Sequence, residues 1–154
     1  MEIKNYFECD NREHWFNEIK RSEWAAGTKL AEFLESGKFH ETLGEGMVLM
    51  LIDGDKLVSY VTFSFQDCVD DKAMYPWIGF VFTAPEYRGH RYAGQLIERC
   101  EEIARGHSVK NIYICTDHEG LYEKYGYSYL ENRVDIYGDD SRIYVKNITK
   151  ERSL

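Results

Sequence analysis

The stretch Phe80–Glu98, FVFTAPEYRGHRYAGQLIE, decides how this chain is read. Its first half is apolar and β-prone as far as Thr83, and Pro85 then ends the run because proline has no N–H to give to a ladder. Three basic side chains, Arg88, His90 and Arg91, crowd around Gly89. From there apolar residues recur at helical spacing: Ala93, Leu96, Ile97, Cys100, Ile103 and Ala104. Gln95, Glu98, Arg99, Glu101, Glu102 and Arg105 form the outer face, and Gly106 is the stop. The cations therefore sit at a predicted helix start, where the helix dipole disfavours them. A bound anion resolves the conflict, because a strand, a short loop and a helix N-terminus together present free backbone N–H groups. The stretch matches neither G-x-x-x-x-G-K-[ST] nor G-x-G-x-x-G, so ATP and dinucleotides lose ground.

Upstream, MVLMLIDGDKLVSYVTFSFQ reads as a hairpin turning on Asp53-Gly54-Asp55. Strict alternation in its second strand puts Leu57, Ser59, Val61, Phe63 and Phe65 on one face, and Val58, Tyr60, Thr62 and Ser64 on the other. YPWIGFVFTAP is a third strand, with Gly79 marking a bulge or a close approach by something other than a side chain. Residues 11–36 read as two helices divided at Gly27, with Thr28 as N-cap and Gly37 as the end of the second. Downstream come a strand in NIYICTD, a short helix in EGLYEKYGY that ends at Gly126, and a strand pair in YLENRVDIYGDDSRIYVKNI. This order gives a mixed α/β sheet with helices on both faces, and one domain over residues 1–154 accounts for it.

The chain has 154 residues, 44% of them hydrophobic and 15% aromatic, which is ample for a packed core. A net charge of −8 leaves no basic footprint for nucleic acid and suits a cationic partner better. No apolar run approaches a membrane span. Cys9, Cys68, Cys100 and Cys115 form no C-x-x-C pair, and the five histidines show no ligand spacing. These features predict packed thiols, a cytoplasmic setting, no metal and no membrane partner.

FVFTAPEYRGHRYAGQLIE followed by GLYEKYGY resembles the GNAT family of N-acetyltransferases, whose signature is R/Q-x-x-G-x-G/A at a helix start with a later YEK-x-GF-like helix. Arg88 opens the first pattern, Ala93 closes it, and Gly120–Tyr127 matches the second. The middle glycine of the signature is replaced by Arg91. The resemblance implies a mostly antiparallel sheet with a splayed central strand pair. It also implies acetyl-CoA as co-substrate, with the pyrophosphate on the amides of Gly89, His90, Arg91, Tyr92, Ala93 and Gly94. Arg88 and Arg91 would assist there, and the pantetheine arm would lie along the backbone of Val81, Phe82 and Thr83. The implied activity is direct acetyl transfer to a primary amine of a small molecule or peptide, in a ternary complex. The alternative is a non-catalytic acyl-CoA-binding regulatory module.

Tyr122 holds the family's general-acid position, and a tyrosine with an ordinary pKa of about 10 stays protonated at neutral pH. YPWIGFVFT offers no carboxylate as a base. His118 has the appropriate titration range, and its neighbour Asp117 suits either a cleft role or an N-cap. Trp24, Tyr60, Phe63, Phe65 and Trp77 read as core or as an acceptor pocket, with Asp67, Asp70 and Asp71 nearby to attract a cation. A homodimer is compatible with all of this.

Overall fold

The chain is described here by a computed structural model covering residues 1–22, 25–67, 69 and 71–149. Strands β1 (Glu2–Asn5), β2 (Gly46–Asp53), β3 (Lys56–Ser64), β4 (Trp77–Thr83), β5 (Asn111–Thr116), β6 (Ser128–Val134) and β7 (Asp140–Asn147) form one sheet in the order β1-β2-β3-β4-β5-β7-β6. Neighbours are antiparallel throughout, apart from the parallel pair β4 and β5. Helices α1 (Arg12–Lys20), α2 (Ala25–Ser36) and α3 (Phe39–Leu43) cover one face, and α4 (Tyr92–Gly106) covers the other.

The two cores follow from the pleat of β2. Val48, Met50 and Ile52 bury against Trp15, Ile19, Leu30 and Phe39, while Leu49 and Leu51 bury against Leu96, Ile97, Cys100 and Ala104 of α4. Each such side chain contributes roughly 1.5–3 kcal/mol by leaving water, so the two faces together fix the sheet between its helices.

Strict alternation fails in β3. Ile52 pairs with Leu57 but Leu51 pairs with Ser59, so Val58 is an extra residue. Leu57 and Tyr60 consequently pack under α1–α3, and Val58, Val61 and Phe63 under α4. Gly27 does not divide two helices; it lies inside α2, buried where a Cβ would come 2.3 Å from Ser22 Oγ and 2.8 Å from Tyr60 Oη. Close approach, not chain breaking, is its purpose. Gly37 does terminate α2, at φ +73. β1 and α3 were not foreseen, since EIKN carries no apolar alternation and α3 is only five residues long.

Cys9 and Cys100 are buried thiols, but Cys115 is disulfide-bonded; Cys68 lies outside the described residues. Such a bond needs spatial closeness only, which sequence spacing does not report. Because disulfides are rare in the cytosol, the cysteines no longer argue for that compartment. Among the described residues no helix is long and apolar enough to cross a membrane.

Candidate active site

β4 and β5 pair at only two positions, Trp77–Tyr113 and Ile78–Ile114, and then part. The cause lies in β4. Thr62 of β3 faces Gly79 while Tyr60 faces Phe82, so β4 carries one residue too many between them. Phe80 adopts φ +48, unusual for a bulky side chain, and the strand turns away from β5. The bulge expected at Gly79 is present. The approach to Gly79 is nevertheless made by side chains: a Cβ there would come 2.2 Å from Asp67 Oδ2 and 3.1 Å from Thr62 Oγ1.

A cavity of about 660 Å³ fills the parting. Ile78–Val81 of β4 and Ile114–His118 at the end of β5 line it, together with Leu121 and Tyr122. Lys29 of α2 and the loop between β6 and β7, through Asp135, Tyr137 and Asp139, complete it. The Lys29 ammonium lies 5.3 Å from the centre of the Tyr137 ring, joining the helical side of the cavity to that loop.

Tyr122 opens the 3₁₀ turn Tyr122–Tyr125, which Gly126 ends at φ +93, so the predicted helix is present in tighter form. Its side chain is 6% exposed. Burial is the main reason its pKa rises well above the ordinary tyrosine value, with the Tyr125 hydroxyl and the Asp67 carboxylate adding to it. Among the described residues no hydrogen bond engages its hydroxyl. Asp117 and His118 both reach the cavity and are exposed. Asp117 is not an N-cap, since Leu121 takes that position. The backbone N–H of His118 donates to Thr116 Oγ1 at 3.0 Å, and its carbonyl accepts from the Tyr144 hydroxyl at 3.4 Å.

At the other end of β4 lies the loop that the sequence reading assigns to an anion. A short 3₁₀ turn, Pro85–Tyr87, leads to Gly89 at φ +89 and to Arg91, the N-cap of α4, at φ +60 and ψ 32. No side chain caps the helix, so the first-turn N–H groups of Tyr92, Ala93 and Gly94 are left to another acceptor. A left-handed residue followed by a right-handed one makes an anion-binding concavity of the backbone. Arg91 fills the glycine slot without leaving the glycine conformation, and its guanidinium lies 5.2 Å over the Tyr125 ring. Arg88 is turned back on β4: its Nε donates to the Thr83 carbonyl at 3.0 Å, and the group lies 5.8 Å over the Phe82 ring. The His90 and Tyr92 rings sit side by side at 5.4 Å.

Of the aromatic residues read as core or as an acceptor pocket, none of the described ones lines this cavity. Tyr60 and Trp77 are fully buried and Phe63 nearly so, while Phe65 is 45% exposed beside Tyr75, away from the cavity. Trp24 and Asp70 lie outside the described residues. Asp71 pairs with Arg133 at 3.1 Å, and of the two described acids, Asp67 and Asp71, it is Asp67 that reaches the cavity. Lys29, Asp135, Tyr137 and Asp139 escaped sequence reading, because only the packing of α2 and the β6–β7 loop brings them there.

The chain matches the acetyltransferase (GNAT) family over residues 9–127. It belongs to that family. Its shape is similar to the aminoglycoside 6′-N-acetyltransferase from Enterococcus faecium, with a TM-score of 0.70 at 15% identity, covering 99% of this chain and 100% of that one. A GNAT family N-acetyltransferase from Escherichia coli in complex with CoA gives 0.69 at 18% identity over 96% and 81%. An acetyltransferase from Streptococcus agalactiae gives 0.68 at 20% identity over 95% and 97%. No curated protein matches. The mostly antiparallel α/β sheet is the GNAT fold, and the chain is an acetyltransferase of this family.

Proposed function

We propose that this GNAT acetyltransferase moves the acetyl group of acetyl-CoA directly to a primary amine of a small molecule or peptide, in a ternary complex. The observation that carries this reading is the meeting of the parted β4 edge, the end of β5 and the buried Tyr122 around one cavity. The residues present fit acetyl-CoA as co-substrate. The uncapped start of α4, with Gly89 and Arg91 left-handed before it, suits the pyrophosphate. Past Ile78, β4 has no β5 partner, and the backbone of Val81, Phe82 and Thr83 suits an extended amide-bearing arm as an added strand would.

Transfer requires a neutral amine and an acceptor for the proton that nitrogen sheds as the C–N bond forms. One proton must also reach sulfur as the C–S bond breaks. Burial keeps Tyr122 protonated, and it is a weaker acid than a thiol of ordinary pKa near 8.5. It therefore acts by donating a hydrogen bond to the departing sulfur rather than by ionising ahead of it. His118, on the cavity wall, is the proposed acceptor of the proton from the incoming ammonium, and the second proton, shed by nitrogen as the C–N bond forms, is the one that ends on sulfur. The carboxylates of Asp67, Asp117 and Asp139 favour a cationic acceptor. Asp135 serves the loop instead: burial works against its ionisation, but N–H donors from Asp139 and Tyr137 and the Ser141 hydroxyl outweigh it and lower its pKa.

The test is CoA release against a panel of spermidine, kanamycin and a lysine peptide, with CoA binding followed by calorimetry. Tyr122→Phe is expected to lower kcat by roughly 10²–10³-fold, the loss typical of a removed transition-state donor, with CoA affinity unchanged. Turnover at the wild-type rate would take Tyr122 out of the mechanism. CoA binding with no turnover of any amine would make the chain an acyl-CoA-binding regulatory module.

A further inference from the structure

Glu101 does not sit where the helical pattern of α4 puts it. It was predicted on the outer face, yet it is 5% exposed. Its two carboxylate oxygens each accept from Lys146 Nζ at 3.1 Å, and Oε2 also accepts from the Tyr127 hydroxyl at 3.0 Å. Lys146, on β7, makes one further bond, to the Tyr125 carbonyl at 2.9 Å. To reach it the side chain crosses Gly126 so closely that a Cβ there would lie 3.2 Å from Lys146 Cε.

The grip falls on the exit of the turn that begins with Tyr122. The Tyr127 N–H donates to the Tyr122 carbonyl at 3.2 Å, and the Gly126 N–H donates to the Glu123 carbonyl at 3.1 Å. At the opposite end of α4, the Tyr125 ring lies against Gly94, where a Cβ would come 2.7 Å from Cε1, and under the Arg91 guanidinium. One helix thus holds the anion loop at its first turn and, two turns on, the carboxylate that fastens the Tyr122 turn. Stability alone does not call for this, because well-packed apolar residues of similar volume commonly replace a buried ion pair without loss. An apolar pair would not, however, hold the Tyr125 carbonyl.

We propose that Glu101 and Lys146 are positioning residues, which set the Tyr122 hydroxyl at a fixed place relative to the anion loop of α4. The inference rests on the reading of Tyr122 as the donor to sulfur.

The test compares Glu101→Leu/Lys146→Met with wild type, Tyr122→Phe and the triple variant, using the panel amine that wild type turns over fastest. The apolar double variant leaves the buried Tyr127 hydroxyl without its acceptor, so it is expected to unfold at a lower urea concentration than wild type while staying folded in buffer, and to bind CoA within about twofold. Its kcat should fall by roughly 10- to 100-fold, since misplacing a reacting group by about 1 Å costs up to that order. Adding Tyr122→Phe should then cost much less than it does alone, because the donor is already out of place. Lys146→Met alone, which takes the donor from the Tyr125 carbonyl while Glu101 keeps its bond to Tyr127, is the second variant should the double one not fold; its kcat should fall while CoA affinity holds. Wild-type kcat in a folded double or Met variant overturns the inference, as do losses that simply multiply in the triple variant. If Tyr122→Phe itself costs nothing, the donor reading has failed first, a result distinct from either.

Discussion

Arg91→Gly separates what the Arg91 backbone does from what its side chain does. The residue is left-handed, a conformation costing an ordinary L-residue roughly 1–2 kcal/mol and glycine almost nothing. Against that gain stand the greater freedom of glycine in the unfolded chain, roughly 0.5–1 kcal/mol, and the lost contact with the Tyr125 ring, roughly 0.5–1 kcal/mol at an exposed site. These terms nearly cancel, so the urea midpoint should move little. CoA binding has no such compensation. If the guanidinium leaves Tyr125 for a phosphate, its charge-assisted bond is worth about 1.5–3 kcal/mol. At about 1.4 kcal/mol per decade, the Gly variant binds CoA roughly 10- to 150-fold more weakly. Arg91→Ala should match it in affinity but be less stable, since alanine keeps the left-handed strain. Calorimetry at two salt concentrations reads both, and the wild-type advantage should shrink as salt rises. A Gly variant that binds CoA as well as wild type would refute the reasoning and leave Arg91 as a lid on Tyr125 alone.

Gly79→Ala must displace the Asp67 carboxylate from a 2.2 Å contact, and a stability loss of roughly 1–3 kcal/mol is expected by urea titration. Gly106→Ala, which meets nothing within 4 Å at the end of α4, should instead gain about 0.4–1 kcal/mol. Stability should also fall in alkali. Tyr60 is pushed up to about 12 by burial, with its Ser22 bond working weakly the other way. Because the folded pKa is the higher one, its contribution is intact below pH 10 and is lost between pH 10 and 12, at up to about 1.4 kcal/mol per pH unit. Tyr60→Phe should take one proton's share from that slope and leave the shares of the buried Tyr122, Tyr127 and Cys100, whose pKa values burial also raises.

The elements that were legible in sequence are those punctuated by local chemistry. Asp53-Gly54-Asp55 turns a hairpin, Pro85 closes β4, and Gly126 ends its turn at positive φ because only backbone rules decide them, whereas Gly106 is simply the last residue of α4 and the left-handed position after it is Ser108. The loop from Arg88 to Gly94 was equally readable, since a cation cluster at a helix start conflicts with local electrostatics. What escaped depends on contacts distant in sequence. The extra residue at Val58 inverts part of the β3 pattern only because β2 pairs with it out of step. Glu101 looked solvent-facing until Lys146, forty-five positions away, came to cover it. The acidic wall at Asp135 and Asp139 is likewise set by how a hairpin loop folds over, which periodicity does not encode.

The two-pair seam between β4 and β5 also bears on how the molecule breathes. Hydrogen bonds join β1–β4 into one leaf and β5–β7 into another, while, among the described residues, Trp77–Tyr113 and Ile78–Ile114 are the only strand pairs that join the leaves. Free energies of local opening follow the density of such bonds, so the amides of residues 79–81 should exchange with solvent well before those of β2 or β3. An arm laid along that edge adds rungs to the seam. Occupancy should then slow exchange most at 79–83 and raise the temperature of unfolding by mass action. On the proposed reading, the co-substrate would also serve as a structural crosspiece that laces the two leaves of the sheet together.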